Sequence, residues 1–210
     1  MARIEGINAS ALSEGEDMKI SFVVFNGLTT LDFIGIYDPL TRLKTMGFMP
    51  DLAWDVCAYT DIVKDDRGLI MVPTMIQEPL QSYDVLVVPG GYGTRTLIHD
   101  QNFVQWIKTA EPCKLKVSVC TGALLLGAAG FLKGKRATTH PSAFQELKPF
   151  CQTVLKNRVV DEGNIITAGG VSSGIDEGLY VAEKLAGSEA RLKIARQMDY
   201  PYALRSEDIA

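Results

Sequence analysis

Lys116-Val117-Ser118-Val119-Cys120-Thr121-Gly122-Ala123-Leu124-Leu125-Leu126 contains the change of backbone that decides the fold. A β-type apolar run stops at a cysteine. A Thr-Gly pair and a helix-type leucine run follow without a spacer. A side chain at such a strand-to-helix turn is pushed out of the sheet. It stands beside the first backbone N–H groups of the helix, which have no intrahelical partners. Those groups and the helix dipole favour an anion, so the Cys120 thiol is expected to ionise more readily than a free one. Cys120 is the candidate nucleophile.

Working outward, buried strands alternate with helices. Lys19 to Phe25 is a strand broken by Asn26-Gly27, and Tyr37 to Thr45 a helix with Pro39 in its first turn. Trp54 to Tyr59 is a second strand. Asp65-Asp66-Arg67-Gly68 is a turn, and Leu69 to Val72 a short strand after it. Val85-Leu86-Val87-Val88 is continuously apolar, as a strand buried on both faces must be, and ends in Pro89-Gly90-Gly91. Asn102 to Ala110 and Thr121 to Ala129 have helical character. Lys135 to Thr139 is strand-like and leads to His140; Ser142 is placed to cap a helix reaching Lys148. Val159 to Ile166 is a hairpin around Gly163. A helix opens at Gly174-Ile175-Asp176 and stops near Gly187, and Ser188 caps a last helix through Gln197. This alternation predicts an α/β fold: one doubly wound sheet sandwiched by helices, as a single domain over residues 18–200. Residues 1–17 are expected to be a flexible leader and 201–210 a C-terminal tail.

Composition excludes several classes. The net charge is −4 and hydrophobic residues make up 47% of 210, so neither nucleic acid nor an anionic membrane is the expected partner. No apolar run approaches the roughly 18 residues of a membrane span. The polar start, with Glu5, Glu14, Glu16 and Asp17, is not a signal peptide, so a cytoplasmic location is expected. The four cysteines, Cys57, Cys113, Cys120 and Cys151, form no C-x-x-C pair, and free thiols are expected. Gly90-Gly91-Tyr92-Gly93 lacks the order of a nucleotide-binding loop, and no metal-ligand cluster is visible.

In a doubly wound sheet, ligands bind outside the carboxyl ends of the strands. Three features fall there: Cys120, the Gly90-Gly91 turn, and Asp32 in the loop after the first strand. Gly90 and Gly91 could form only a tight turn, or a nest of N–H groups facing the nucleophile as an oxyanion site. Asp32, flanked by Leu31, Phe33 and Ile34, either caps the following helix or faces the cysteine as a partly buried acid with a raised pKa. His140 is a secondary candidate, as the base of a Cys-His pair or as part of a structural turn. Asp176 is another; a helix cap is the plainer role for it, reaching the pocket the other.

The motifs around these residues resemble the ThiJ/PfpI superfamily, which is class I glutamine amidotransferase-like. They are Asp32, Val88-Pro89-Gly90-Gly91, Ser118-Val119-Cys120-Thr121-Gly122-Ala123, Gly127-Ala128-Ala129-Gly130, Gly134 through His140, and Ile166-Thr167-Ala168-Gly169-Gly170. The similarity runs from about Lys19 to about Tyr200 and within the superfamily is greatest to isocyanide (isonitrile) hydratases and the amidase-like domains of some transcription regulators. The resemblance implies a flavodoxin-like sandwich, usually a homodimer, with Cys120 at a strained nucleophile elbow. It also implies that Asp32 replaces the glutamate of many relatives. Thr121 stands where the protease-like branch has a histidine, which speaks against a peptidase. Pro141 replaces an expected aromatic residue, and Ile36 an expected proline.

The implied activity is hydration of an organic isocyanide to an N-substituted formamide through a thioimidate on Cys120. Asp32 moves the proton, and the N–H groups of Gly91 and Thr121 stabilise developing charge. The Thr121 hydroxyl holds the Asp32–Cys120 geometry. The small-molecule substrate is the expected partner besides a second copy of the chain, and no metal or organic cofactor is expected. Two other readings stay open. One is a non-catalytic ligand- or redox-sensing module, because an elbow thiolate is readily oxidised. The other is a glyoxalase or deglycase, which prefers glutamate at the position of Asp32.

Overall fold

The computed structural model describes residues 17–202 and 204–210. The expected leader lies outside the described residues except for Asp17. In chain order the elements are β1 (Lys19–Val23), α1 (Thr30–Thr45), β2 (Ala53–Ala58), β3 (Val63–Lys64), β4 (Ile70–Met71), β5 (Met75–Ile76), β6 (Val85–Val88), α2 (Thr94–Leu97) and α3 (Gln101–Lys108). They continue with β7 (Leu115–Val119), α4 (Gly122–Ala128), β8 (Arg136–Ala137), α5 (Phe144–Leu147), β9 (Thr153–Val154), β10 (Val159–Asp161), β11 (Ile165–Ala168) and α6 (Ser173–Gln197).

One seven-stranded sheet has the order β10-β11-β7-β6-β1-β2-β5. Every pairing in it is parallel except β10 with β11, the antiparallel hairpin turned at Gly163. Every residue of β6 and β7 is buried, as the continuous apolar run of β6 requires when both faces are covered; in β7 the polar Lys116 and Ser118 are buried too. Helices α1 and α6 pack together on one face; α3 and α4 cover the other. This is the expected flavodoxin-like doubly wound α/β sheet. From β1 the chain winds outward to β2 and β5, then returns to the other side of β1 and winds through β6, β7 and β11. The winding reverses between β1 and β6, and a crevice opens there at the strands' carboxyl ends.

The structure corrects several element boundaries. Helix α1 begins at Thr30, seven residues before Tyr37, so Asp32 lies in the helix's first turn and not in a preceding loop. Pro39 is interior to the helix, where it costs a hydrogen bond. Close packing offsets this: a Cβ on Gly178 of α6 would stand 2.9 Å from Pro39 Cγ, so α6 approaches the proline ring only through glycine. The start of α1 is anchored from outside, with Thr29 Oγ1 donating to Asp66 Oδ2 (2.9 Å) and Thr30 Oγ1 to Asp65 Oδ2 (2.6 Å). The short strand expected over Leu69–Val72 is β4, which pairs only with β3 in a separate hairpin. The strand expected over Lys135–Thr139 shrinks to β8, paired with β9 outside the main sheet. Ser142 caps no helix with its side chain; its N–H donates to His140 Nδ1 (3.2 Å), which caps the turn. Gly187 breaks α6 at φ 86°, where the helix was expected to stop. The tail is attached to the sheet: Asp161 N–H donates to Ala210 C=O (2.8 Å) and Ala210 N–H to Val159 C=O (3.1 Å).

Candidate active site

Cys120 has φ 56°, a left-handed conformation that costs a non-glycine residue about 1–3 kcal/mol. The chain bends there because β7 runs straight into α4. Two bonds fix the bend: Cys120 N–H donates to Ala168 C=O on β11 (3.0 Å), and Thr139 Oγ1 donates to Cys120 C=O (2.8 Å). Thr139 was not singled out from sequence. Its role depends on the chain after β8 returning beneath the elbow, which no local pattern announces.

Asp32 reaches the same point from α1. It is fully buried, and Gly90 N–H donates to its Oδ2 (3.1 Å). Its Oδ1 has no hydrogen-bond partner. Burial pushes the Asp32 carboxyl up to about 6, against the lowering effects of Cys120 and the Gly90 N–H. Burial and the neighbouring Asp32 charge push the Cys120 thiol up to about 12 from an ordinary 9.0. The expected easy ionisation of Cys120 is therefore overturned. Thr121 N–H does act on the sulfur in the lowering direction, but desolvation and a carboxylate outweigh it. Between pH 6 and 12 the pair holds one proton and one negative charge.

The glycine turn also departs from expectation. Gly91 N–H donates to Thr121 Oγ1 (2.9 Å), and the Thr121 hydroxyl donates back to Gly91 C=O (3.0 Å). With Gly90 N–H on Asp32, neither glycine N–H is left as an oxyanion donor. They position the acid and the threonine instead. Gly90 is irreplaceable on steric grounds: a Cβ there would lie 2.5 Å from Thr121 N and 2.8 Å from Asp32 Oδ2. Thr121 is thus tied to the β6 turn and faces Cys120, without a bond to Asp32.

His140 lines the cavity above Cys120; its Nδ1 is bonded to Ser142, with Oγ at 2.8 Å, and no hydrogen bond joins the ring to Cys120. Asp176 neither caps α6 nor enters the cavity. It is buried in an ion pair with Arg158 (Nε to Oδ2, 2.6 Å) and accepts from the Tyr200 hydroxyl (3.0 Å). Glu177, the next residue, is fully buried with neither carboxyl oxygen partnered. Burial and the Asp32 charge hold its carboxyl well above the ordinary 4.5. It was missed because α6 showed only a helical run, and which side of that run meets Asp32 is a tertiary fact.

The cavity at Cys120 encloses about 190 Å³ and is walled by Thr29, Asp66, Arg67, Tyr92, Arg95 and His140. A larger cavity, about 450 Å³, lies between Thr138, Phe144, Lys156 and Arg158 and does not include Cys120, so the chemistry belongs to the smaller one. Among the described residues no group of three or more His, Cys, Asp or Glu could hold a metal ion, and no helix is long and apolar enough to cross a membrane.

Comparison with known proteins agrees with this geometry. The isonitrile hydratase of Pseudomonas putida is 37% identical over 200 residues, covering 92% of this chain and 85% of its own. Protein DJ-1alpha of Drosophila melanogaster is 31% identical over 145 residues, 67% of each chain. Among solved structures, a ThiJ/PfpI family protein from Pseudomonas syringae superposes with a TM-score of 0.82 at 29% identity, covering 97% of this chain and 84% of that one. Residues 18–184 match the DJ-1/PfpI family. With most of its length matched in sequence and its fold matched in structure, the chain belongs to the DJ-1/PfpI family.

Proposed function

We propose that this protein hydrates an organic isocyanide, R–N≡C, to the formamide R–NH–CHO. The observation that carries the reading is the buried Asp32–Cys120 pair, which near neutral pH holds one proton beside a strained elbow sulfur. An isocyanide carbon needs a nucleophile and then a proton at the same carbon. As Cys120 Sγ attacks that carbon, the Asp32 carboxylate takes the thiol proton and returns it to the carbon. The product is the thioimidate Cys–S–CH=N–R. Water adds to the thioimidate carbon, a proton reaches nitrogen, and the C–S bond breaks. This releases the formamide and restores the thiol. Thr121 N–H, which acts on the sulfur, steadies charge there. Gly91 contributes by holding Thr121. Similarity to an isonitrile hydratase over nearly the whole chain supports the assignment.

The working form in this reading is a homodimer. Leu31 and Ile34 on α1 are 47% and 42% exposed, and Leu69, Ile70 and Val72 of the adjoining hairpin 52%, 63% and 75%. Aliphatic side chains grouped outside the core in this way support a protein interface.

The deciding experiment is formamide formation from a simple aryl isocyanide, wild type beside Cys120→Ala. Turnover by the wild type alone is expected. Equal turnover by Cys120→Ala would refute the cysteine mechanism, and none from the wild type would refute the hydratase reading.

A further inference from the structure

The wall of the Cys120 cavity is more cationic than a neutral organic isocyanide requires. Arg67 and Arg95 both line it, against Asp66 on the wall and the Asp32 carboxylate beside Cys120. Arg95 is committed in part, with Nη2 on Glu146 Oε1 (2.9 Å) and its guanidinium 5.8 Å from the Tyr92 ring. A guanidinium has five N–H donors, so one such contact leaves it capacity. Arg67 is freer still: its side chain is 74% exposed, and its ion pair to Asp66 is a loose 3.9 Å. Asp66 accepts from Thr29 through Oδ2, while its Oδ1, the oxygen facing Arg67, makes no hydrogen bond. The two arginines come from separate segments, the β3–β4 turn and α2, and both reach the same small space.

We propose that this cavity selects a substrate carrying a carboxylate on the substituent R, held by Arg67 with Arg95 beside it, while the reactive carbon meets Cys120. The proposal rests on this cavity being the reaction cavity of the hydratase reading. The cavity opens to solvent, and its volume of about 190 Å³ suits a small molecule. Planar, bidentate recognition of carboxylate is what guanidinium groups do best, and such charge-assisted bonds are the strong ones.

The test uses two probes that do not depend on hydration. Iodoacetate and iodoacetamide alkylate a thiol by the same displacement, in which an S–C bond forms and iodide leaves; only the first carries a carboxylate. Their rates at Cys120, followed by peptide mass spectrometry, are compared with those of a free small thiol at the same pH. The ratio cancels burial of the sulfur. The expected iodoacetate-to-iodoacetamide ratio at Cys120 exceeds that of the free thiol by about tenfold or more, the size of one charge-assisted bond. It should fall toward the free-thiol ratio in Arg67→Met and recover in part in Arg67→Lys. A wild-type ratio at or below that of the free thiol, or a raised ratio unchanged in Arg67→Met, would overturn the proposal.

In parallel, isocyanoacetate and its methyl ester are offered as substrates, and a higher kcat/KM for the acid is expected. A preference for the ester counts against the anion site. Turnover of neither defeats the hydratase reading alone, and the alkylation ratio still decides whether the cavity takes a carboxylate.

Discussion

Glu177→Gln should flatten the fall of stability with rising pH. Glu177 is 0% exposed, both its oxygens lack partners, and Asp32 is the charge acting on it. Its folded pKa lies well above 4.5, so above that pH the unfolded chain releases a proton that the folded chain keeps. More protons bound in the folded state means stability falls as pH rises, until the pH passes Glu177's own folded pKa. The slope is about 1.4 kcal/mol per pH unit for one group. Over the pH range in which the folded group keeps its proton and the unfolded one has lost it, the wild type should lose stability more steeply than the variant. Asp32, raised to about 6, adds its own loss below that pH, but it does so in both proteins and cancels in the difference. Glutamine is nearly isosteric and equally unpartnered, so packing changes little and the charge linkage alone is removed. Urea unfolding at pH 5, 6 and 7 reads the effect. The wild-type midpoint should fall between pH 5 and 7 by more than the variant's, so that the gap between the two widens with pH. Parallel stability curves would show that Glu177 is ionised in the folded protein and would refute the reasoning.

Other outcomes follow from the same geometry. Cys120→Ala should abolish turnover while leaving the circular dichroism spectrum and unfolding midpoint near wild type. Asp32→Asn should cut kcat/KM by about a hundredfold or more, the usual range for a positioned acid–base group. The wild-type kcat/KM should fall as pH drops through about 6, where the base is protonated, and Asp32→Asn should lose that limb; a limb retained in the variant would assign it to another group. Gly90→Ala forces a methyl against Thr121 N at 2.5 Å, so it should destabilise by about 1–3 kcal/mol and lose activity, read by unfolding and turnover together. Leu31→Lys combined with Ile70→Lys should convert a dimer to a monomer in sedimentation, and an unchanged mass would refute the proposed interface.

The alternation of strands and helices was legible in the sequence, and the continuous apolar run Val85–Val88 marks a strand of a sheet covered on both faces. The elbow at Cys120 was legible too, because a strand run and a helix run meet there without a spacer. The start of α1 was not. Pro39 argues locally for a first turn, and only packing against Gly178 lets it sit deep inside the helix. The protonation of the site was likewise hidden. Local sequence places Cys120 at a helix N-terminus, which favours a thiolate, but the fold buries it against Asp32, and desolvation with a like charge overrides the dipole. The N–H groups of Gly90 and Gly91 are engaged by Asp32 and Thr121, which come from other segments, and no local pattern in the glycine turn announces this. Sequence by itself determined the layered architecture and the candidate nucleophile, since backbone periodicity and the strand–helix junction are local properties. Tertiary structure alone decided which groups share a proton, which donors remain unspent and which charges line the cavity, because burial and distance between segments far apart in the chain exist only once the sheet has been wound.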